Sequence, residues 1–249
     1  MFTDTHCHIY SEYYDNIDEI IAISCKNNVK RWINNGCNNE TNIEVISLIK
    51  KYDLMYGALG IHPESVRNYN DSDLNYIENN LNDKKIIAVG EIGLDYHYTK
   101  DDRNEQVELF EHQLAIAEKY NKPIIIHSRE ATQDTITILK KYNVKGVIHS
   151  FSGSFETAKE YIKMGFLLGI NGVITFKNSK LKEVIQKINL ENIVLETDSP
   201  YLTPEPFRGK QNNPSHVIDI ATFIADLKNV NIDELITITN ENIKRVFNI

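Results

Sequence analysis

The sequence has few cysteines, no long apolar run and no excess of positive charge. Cys7, Cys25 and Cys37 cannot all pair with one another, and none lies in a C-x-x-C motif. That argues against a disulfide framework and makes a reduced, intracellular setting the simplest expectation. No apolar run approaches the length of a membrane span. Met1 leads straight into "FTDTHCH" with no basic n-region and no apolar h-region, so no signal peptide is expected and the protein should be soluble and cytoplasmic. The formal net charge of −8 is the wrong sign for a protein that coats nucleic acid non-specifically. It leaves room for a local basic rim around a site where cations bind among carboxylates. There is no G-x-G-x-x-G, and "GINGV" and "FSGS" are too short to stand in for a dinucleotide-binding loop. Repeats of similar sequence, linkers and low-complexity segments are also missing, so residues 1–249 should form one domain. No long exposed apolar stripe stands out, which favours a monomer.

What the chain does contain is ordinary globular composition, 41% hydrophobic and 25% charged, in a recurring type of segment. Short runs rich in β-branched residues alternate with longer amphipathic stretches, the βα pattern of a parallel sheet. The runs at 2–8, 31–36, 55–61, 86–92, 123–128, 146–150, 166–170 and 193–198 are predicted strands. "KKIIAVGEIG", "KPIIIHS" and "ENIVLETDSP" are compact apolar runs ending in polar residues, as parallel strands covered on both faces read. Between them, 103–121 is the strongest helix, with Val107, Phe110, Leu114 and Ala117 at three- and four-residue steps and Leu109, Ile116 and Tyr120 widening the face. Ser72 and Ser154 are expected helix caps, the latter with Gly165 after the last turn, and two further helices close the chain. Eight strands alternating with helices over about 250 residues fit a (β/α)8 TIM barrel; an open doubly wound sheet is the runner-up.

In such a barrel the chemistry sits at the C-terminal ends of the strands. Those ends carry His6 and His8, His62 in "GIHPE", Glu91 and nearby Asp95 in "GEIGLDY", His127 in "IIIHSRE", His149 in "VIHSFSG", and Glu196 and Asp198 in "LETDSPY". One histidine after an apolar run is most often a satisfied core or loop residue. Imidazoles and carboxylates converging from several strands are different, because burying them without partners costs several kcal/mol. A divalent cation supplies the partner. Imidazole plus carboxylate without thiolate suits Zn2+, Mn2+, Fe2+, Co2+ or Ni2+, or Mg2+ where carboxylates dominate. The six candidates His6, His8, Glu91, His127, His149 and Asp198 exceed what one catalytic ion with an open position needs. They suit two ions bridged by a carboxylate, and Glu91, on the strand between strands 1 and 5, is the natural bridge.

The ordered set "DTHCHI", "GIHPE", "VGEIGLDY", "IIIHSREA", "VIHSFSGS", "ETDSPYLTP" and "RGKQNNPS" resembles the TatD-like metal-dependent deoxyribonucleases, within the amidohydrolase-like barrels. The resemblance runs from residue 2 to the end of the chain, and the ordered set is far more specific than any one motif. It implies a TIM barrel with up to two divalent metals that hydrolyses phosphodiesters of DNA, often as a 3′→5′ exonuclease. His6, His8, Glu91 and Asp198 would hold one ion and His127 and His149 the other, with Glu91 bridging. His62 would sit beside the substrate phosphate, and Arg208 is a candidate phosphate contact. Wider amidohydrolase relatives often bridge with a modified lysine on strand 4; Glu91 at that place points to the TatD branch. One departure is visible: where the family usually reads Asn-Glu-Pro, this chain has Asn212, Asn213 and Pro214, losing a carboxylate near the rim.

The leading expectation is therefore a two-metal phosphodiesterase. In it Glu91, Asp198 and His62 do the chemistry, and Asp198 could orient the water or accept its proton. Arg129 and Lys210 are weaker candidate contacts. Tyr96, Tyr98, Phe151 and Tyr201 are candidate base-stacking rings, with loop packing at least as good an explanation for each. Rival expectations are a binuclear hydrolase of a small ester, amide or lactone, and a metal-stabilised scaffold without turnover. Alternation along the first strand puts Asp4, His6 and His8 on one face and Thr5, Cys7 and Ile9 on the other. Cys7 should then pack toward the helices as a small apolar residue, and Asp4 should support the ligands rather than join them.

Overall fold

The computed structural model describes residues 1–97 and 101–249. Its sheet has eight strands, each parallel to its neighbours and in sequence order: β1 (Phe2–Cys7), β2 (Val29–Asn35), β3 (Met55–Leu59), β4 (Ile86–Asp95), β5 (Ile124–Arg129), β6 (Gly146–Ile148), β7 (Leu167–Ile170) and β8 (Ile193–Leu195). The helices are α1 (Ile17–Lys26), α2 (Asn39–Lys51), α3 (Asp71–Asn80), α4 (Arg103–Lys119), α5 (Thr132–Leu139), α6 (Phe155–Lys163), α7 (Leu181–Lys187), α8 (Val217–Lys228) and α9 (Ile232–Phe247). This is the (β/α)8 TIM barrel. Its last seam, between β1 and the loop after β8, is closed by Asp198 N–H donating to His6 O at 2.9 Å and His8 N–H donating to Ser199 O at 2.8 Å. Three residues expected to ligate metal, His6, His8 and Asp198, therefore also complete the barrel.

Two apolar layers follow from strand alternation. Ile33, Ala58, Ile125, Val147, Leu167 and Val194 fill the barrel, and Ile243, Val246 and Phe247 of α9 pack against them. Their neighbours in sequence, such as Trp32, Ile124, Ile126, Ile148, Leu168, Ile193 and Leu195, pack outward with the helices. Cys7 belongs to that outer layer, is fully buried, and donates its S–H to Ile33 O at 3.4 Å.

Several boundaries differ from the sequence expectation. β1, β3, β6 and β8 stop before His8, His62, His149 and Glu196, so these side chains leave the loops rather than the strands, while β4 runs on to Asp95. The cap of α3 is Asn70, not Ser72: Asn70 accepts the Ser72 N–H, and Asp73 answers with a bond to the Asn70 N–H. Asn beats Ser here because the cap, and with it the helix start, lies two residues earlier and the reciprocal carboxylate sits three positions on. Ser154 does cap α6, accepting the Thr157 N–H. Of the α4 stripe, Phe110, Leu114 and Ala117 are buried together with Leu109, and so are Gln106 and Gln113. No helix among the described residues is long and apolar enough to cross a membrane.

The buried amides explain how irregular loops hold still at the top of the barrel. Asn34 accepts the Ile9 N–H at 2.7 Å and donates to Ile9 O at 3.1 Å. Asn42 does the same for Gly60, Gln113 for Ile61 and Gln106 for Asp95. Asn212 donates to Thr197 O and Tyr201 O. Each side chain replaces the strand partner that a loop backbone has lost, so the polar groups stay satisfied although buried. These clamps flank His8, His62, Asp95 and Asp198.

Candidate metal centre

The loops after β1, β3, β6 and β8 and the ends of β4 and β5 converge around one carboxylate. Glu91 is buried midway along β4, and its two oxygens face different partners. Oε2 lies 3.3 Å from His6 Nε2 and 3.5 Å from His8 Nε2. Oε1 lies 3.0 Å from His127 Nδ1, 3.6 Å from His62 Nε2 and 3.7 Å from His149 Nε2. Asp198 Oδ1 completes the first group, 3.7 Å from His6 Nε2 and 3.6 Å from His8 Nε2, and also stands 3.5 Å from His149 Nε2. Its backbone sits at φ 57°, in the left-handed region that a non-glycine residue enters at a cost.

The spacing of the first group can be compared with what an ion requires. Four donors at about 2.1 Å in a tetrahedron stand roughly 3.4 Å apart. Here the two histidine nitrogens are 3.1 Å apart, and the four distances from them to the carboxylate oxygens run from 3.3 to 3.7 Å. The longer of these are loose for direct hydrogen bonds, and the set as a whole has the spacing of donors around a shared cation. The donor chemistry, imidazole with carboxylate, agrees. His6, His8, Glu91 and Asp198 could hold one ion, and Glu91, His127 and His149 a second.

Behind these atoms lies a supporting layer. His127 Nε2 is 2.9 Å from Asp95 Oδ2, so a neutral ring that donates there presents Nδ1 to Glu91. His8 Nδ1 faces Asn35 O at 3.1 Å, which leaves Nε2 for the cavity. His62 Nδ1 accepts the Glu64 N–H at 3.3 Å. Asp4 accepts the Thr197 N–H and hydroxyl and the His6 N–H, so it fastens the seam and points at no other ligand. Burial pushes its carboxyl up to about 8, against those bonds.

Electrostatics mark the same cluster. Burial opposes charge on Glu91, yet the imidazoles of His6, His149 and His62 hold its carboxyl well below the usual range. Asp198 is likewise lowered by His149, His8 and His6 against burial. Burial also disfavours charge on His127 and His149, but Asp95 with Glu91 in one case, and Glu196 with Asp198 and Glu91 in the other, raise each to about 9. His62, lowered by burial and by His127 to about 3, is neutral. The buried carboxylates thus recruit positive charge to the places where cations would sit.

Some expected residues lie elsewhere. Arg208 rests its guanidinium 4.2 Å from the centroid of Phe176 and does not line the cavity above the cluster, whereas Arg129 does. Lys210 is exposed and also absent from the lining. Tyr96 is buried, bonded to Asp134 and covered by Arg103, and Phe151 packs edge-on against Tyr161; both have the packing role. Tyr201 is half-exposed at the mouth, bonded to Tyr13, and Tyr98 lies outside the described residues. Asn213, at the position of the lost carboxylate, accepts the Ser215 N–H and caps the turn before α8.

One sulfur side chain stands beside the cluster. Cys37 Sγ lies 3.7 Å from His8 Nδ1 and 3.8 Å from Glu91 Oε2. Burial raises its pKa despite the pull of His8, so it is a thiol, not a thiolate. The alternation Ile33, Asn35, Cys37 past the end of β2 could have placed it, but no imidazole or acid marked that strand end. Asp95 and Glu196 could have been given supporting roles in the same way, since each lies an even number of residues from a ligand: Glu91 and Asp95, Glu196 and Asp198.

Residues 3–248 match the family model described as TatD related DNase. The chain belongs to the TatD family. It is 42% identical to an uncharacterized metal-dependent hydrolase, YabD, of Bacillus subtilis, with all of both chains covered. It is 34% identical to another, YcfH, of Escherichia coli, covering 99% of this chain and 95% of that one. The crystal structure of YjjV, a TatD homolog from Escherichia coli, superposes with a TM-score of 0.93 at 30% identity, covering 100% of this chain and 98% of that one. The chain is thus a TatD-family metal-dependent hydrolase, with a buried His/Glu/Asp cluster able to bind metal.

Proposed function

We propose that this TatD-family protein is a two-metal phosphodiesterase of DNA that removes nucleotides from 3′ ends. The observation that carries the reading is the division of Glu91, with one oxygen toward His6 and His8 and the other toward His127, His62 and His149. Divalent cations held there would polarise a phosphoryl oxygen and lower the pKa of a water toward neutrality. The protein's own groups have separable tasks. His6, His8 and Asp198 form one cradle, His127 and His149 the other, and Glu91 fixes their spacing. Asp198 Oδ1, between the two groups, is the base positioned to orient a water and take its proton. His62, neutral and with Nε2 toward the bridge, donates to a phosphate oxygen. Arg129 lines the cavity and meets phosphate there, while Arg208, held over Phe176, meets only substrate that extends beyond it. The cavity of about 790 Å3 accommodates a nucleotide, with Tyr13 and Tyr201 on one wall.

One observation favours a second reading, a hydrolase of small esters, amides or lactones. Arg129 is the one Arg or Lys lining the cavity among the described residues, against Glu12, Glu64 and Asp95. The discriminating assay presents the protein, reconstituted with Mg2+, Mn2+, Co2+ or Zn2+, with 3′- and 5′-labelled single-stranded DNA and with a panel of chromogenic esters. Stepwise loss of the 3′ label is expected. Turnover of the esters with intact DNA would replace the nuclease reading by the second one.

A further inference from the structure

Glu196 stands behind the centre rather than in it. Its side chain is fully buried, with Oε1 3.0 Å from His149 Nδ1 and accepting the Ser150 N–H at 2.7 Å. Ser150 takes φ 48°, another left-handed non-glycine residue, at the point where its N–H meets this carboxylate. The rings of His149 and His6 stack with centroids 3.5 Å apart and planes within 20°. One nitrogen of each and a Glu196 oxygen all lie within 4.8 Å of one another. Both rings turn Nε2 toward Glu91 and Asp198, so Nδ1 is the nitrogen left facing away. His6 Nδ1, His149 Nδ1 and Glu196 Oε2 are buried with no aligned hydrogen-bond partner. Two of these atoms are able to donate and one is able to accept, and their side chains are grouped closely enough to satisfy one another.

The space for this carboxylate is made by Gly169 on β7. A Cβ there would stand 2.2 Å from Glu196 Oε2 and 2.7 Å from its Cδ. Gly169 is not among the residues with positive φ, so the position uses the missing side chain and not the backbone freedom of glycine. A carboxylate sunk this deep is costly unless it is matched by donors, and the two imidazoles are the donors at hand.

We propose that Glu196, seated in the space left by Gly169, is a positioning residue shared by His6 and His149. It holds the proton on Nδ1 of each ring, so that both present the Nε2 lone pair, and it couples the two half-sites through one buried group. The inference rests on the two-metal reading above. Its test is a Co2+ titration of the metal-stripped full-length protein, followed by calorimetry and visible absorption, with a thermal melt of each metal-free variant. Wild type is expected to take two ions. Glu196→Gln keeps a side-chain carbonyl as acceptor and should still melt cooperatively without metal, at a somewhat lower Tm because the charge facing His149 has gone, while weakening Co2+ binding about 10- to 100-fold. Gly169→Ala should weaken binding in the same way, although residue 169 supplies no donor atom. Adding Glu196→Asp to Gly169→Ala withdraws the carboxylate by one methylene and should regain part of that loss. Wild-type affinity at both ions in Glu196→Gln overturns the inference, as does weakening that merely follows a collapse of the metal-free melt. Should Gly169→Ala not fold, Glu196→Gln decides alone. A wild type that takes a single ion overturns the two-metal reading instead, and the sharing with it.

Discussion

The two halves of the centre differ in how they are built. The His6, His8 and Asp198 half lies on the barrel seam, where backbone bonds between His6 and Asp198 and between His8 and Ser199 fix the ligands' own main chain. The His127 half is also tied through its backbone, with His127 inside β5 and the His149 N–H donating to Ile126 O at 2.9 Å, but it is more open: the His127 ring is 18% exposed against 0% for His6, and Asp95 orients it. Donor spacing does not separate the halves, at 3.1 to 3.7 Å in the first and 3.0 to 3.7 Å around Glu91 Oε1; exposure does. The contrast suits a tightly kept ion on the seam and an exchangeable one beside His127, the side where substrate can still adjust the geometry.

The largest effect should follow His6→Ala. It removes a seam ligand, so metal analysis should show the tight ion gone, and kcat/KM should fall at least about a hundredfold, as when a principal transition-state stabiliser is lost. His127→Ala with His149→Ala should behave differently: one ion remains by metal analysis, and part of the activity returns as metal concentration is raised. Full metal content and full activity in that double variant would remove the case for a second ion. Asp95→Asn should act on the same half more gently, weakening the exchangeable ion about 10- to 100-fold by calorimetry and leaving the seam ion in place. Loss of both ions equally would erase the contrast. Cys7→Ala should have the smallest effect on the centre. Both ions stay bound, and a denaturant melt reads only the cost of a small buried cavity, about 1 kcal/mol.

Cys7 also shows what was legible in the sequence. Alternation along "DTHCHI" assigns His6 and His8 to the cavity and Cys7 to the outer layer, because a strand has a fixed period. The same logic, with polar residues ending apolar runs, anticipates the convergence of His62, Glu91, His127, His149 and Asp198. It fails where no period applies. The half-spaces of Glu91 depend on how one carboxylate is turned, and Cys37 enters from a strand end with no distinctive chemistry. The amide clamps are equally silent. Asn34, Asn42, Gln106 and Gln113 read as ordinary polar positions, because the backbone groups they satisfy belong to other segments. Arg208 has a family-like neighbourhood in sequence, yet its side chain stacks on Phe176.

The seam has a consequence for the order of events in the cell. Its ligands come from the first strand and from the loop after the last one, with nearly the whole chain between them. A ribosome must therefore deliver β8 and the residues beyond it before the tight site exists at all, and a half-made chain displays His6 and His8 with no means of trapping an ion. An ion held by these ligands would act as a clasp between the two ends of the sheet, across the longest loop closure in the fold. Binding there would add to the stability of the closed barrel by mass action, on top of the backbone bonds that already close the seam.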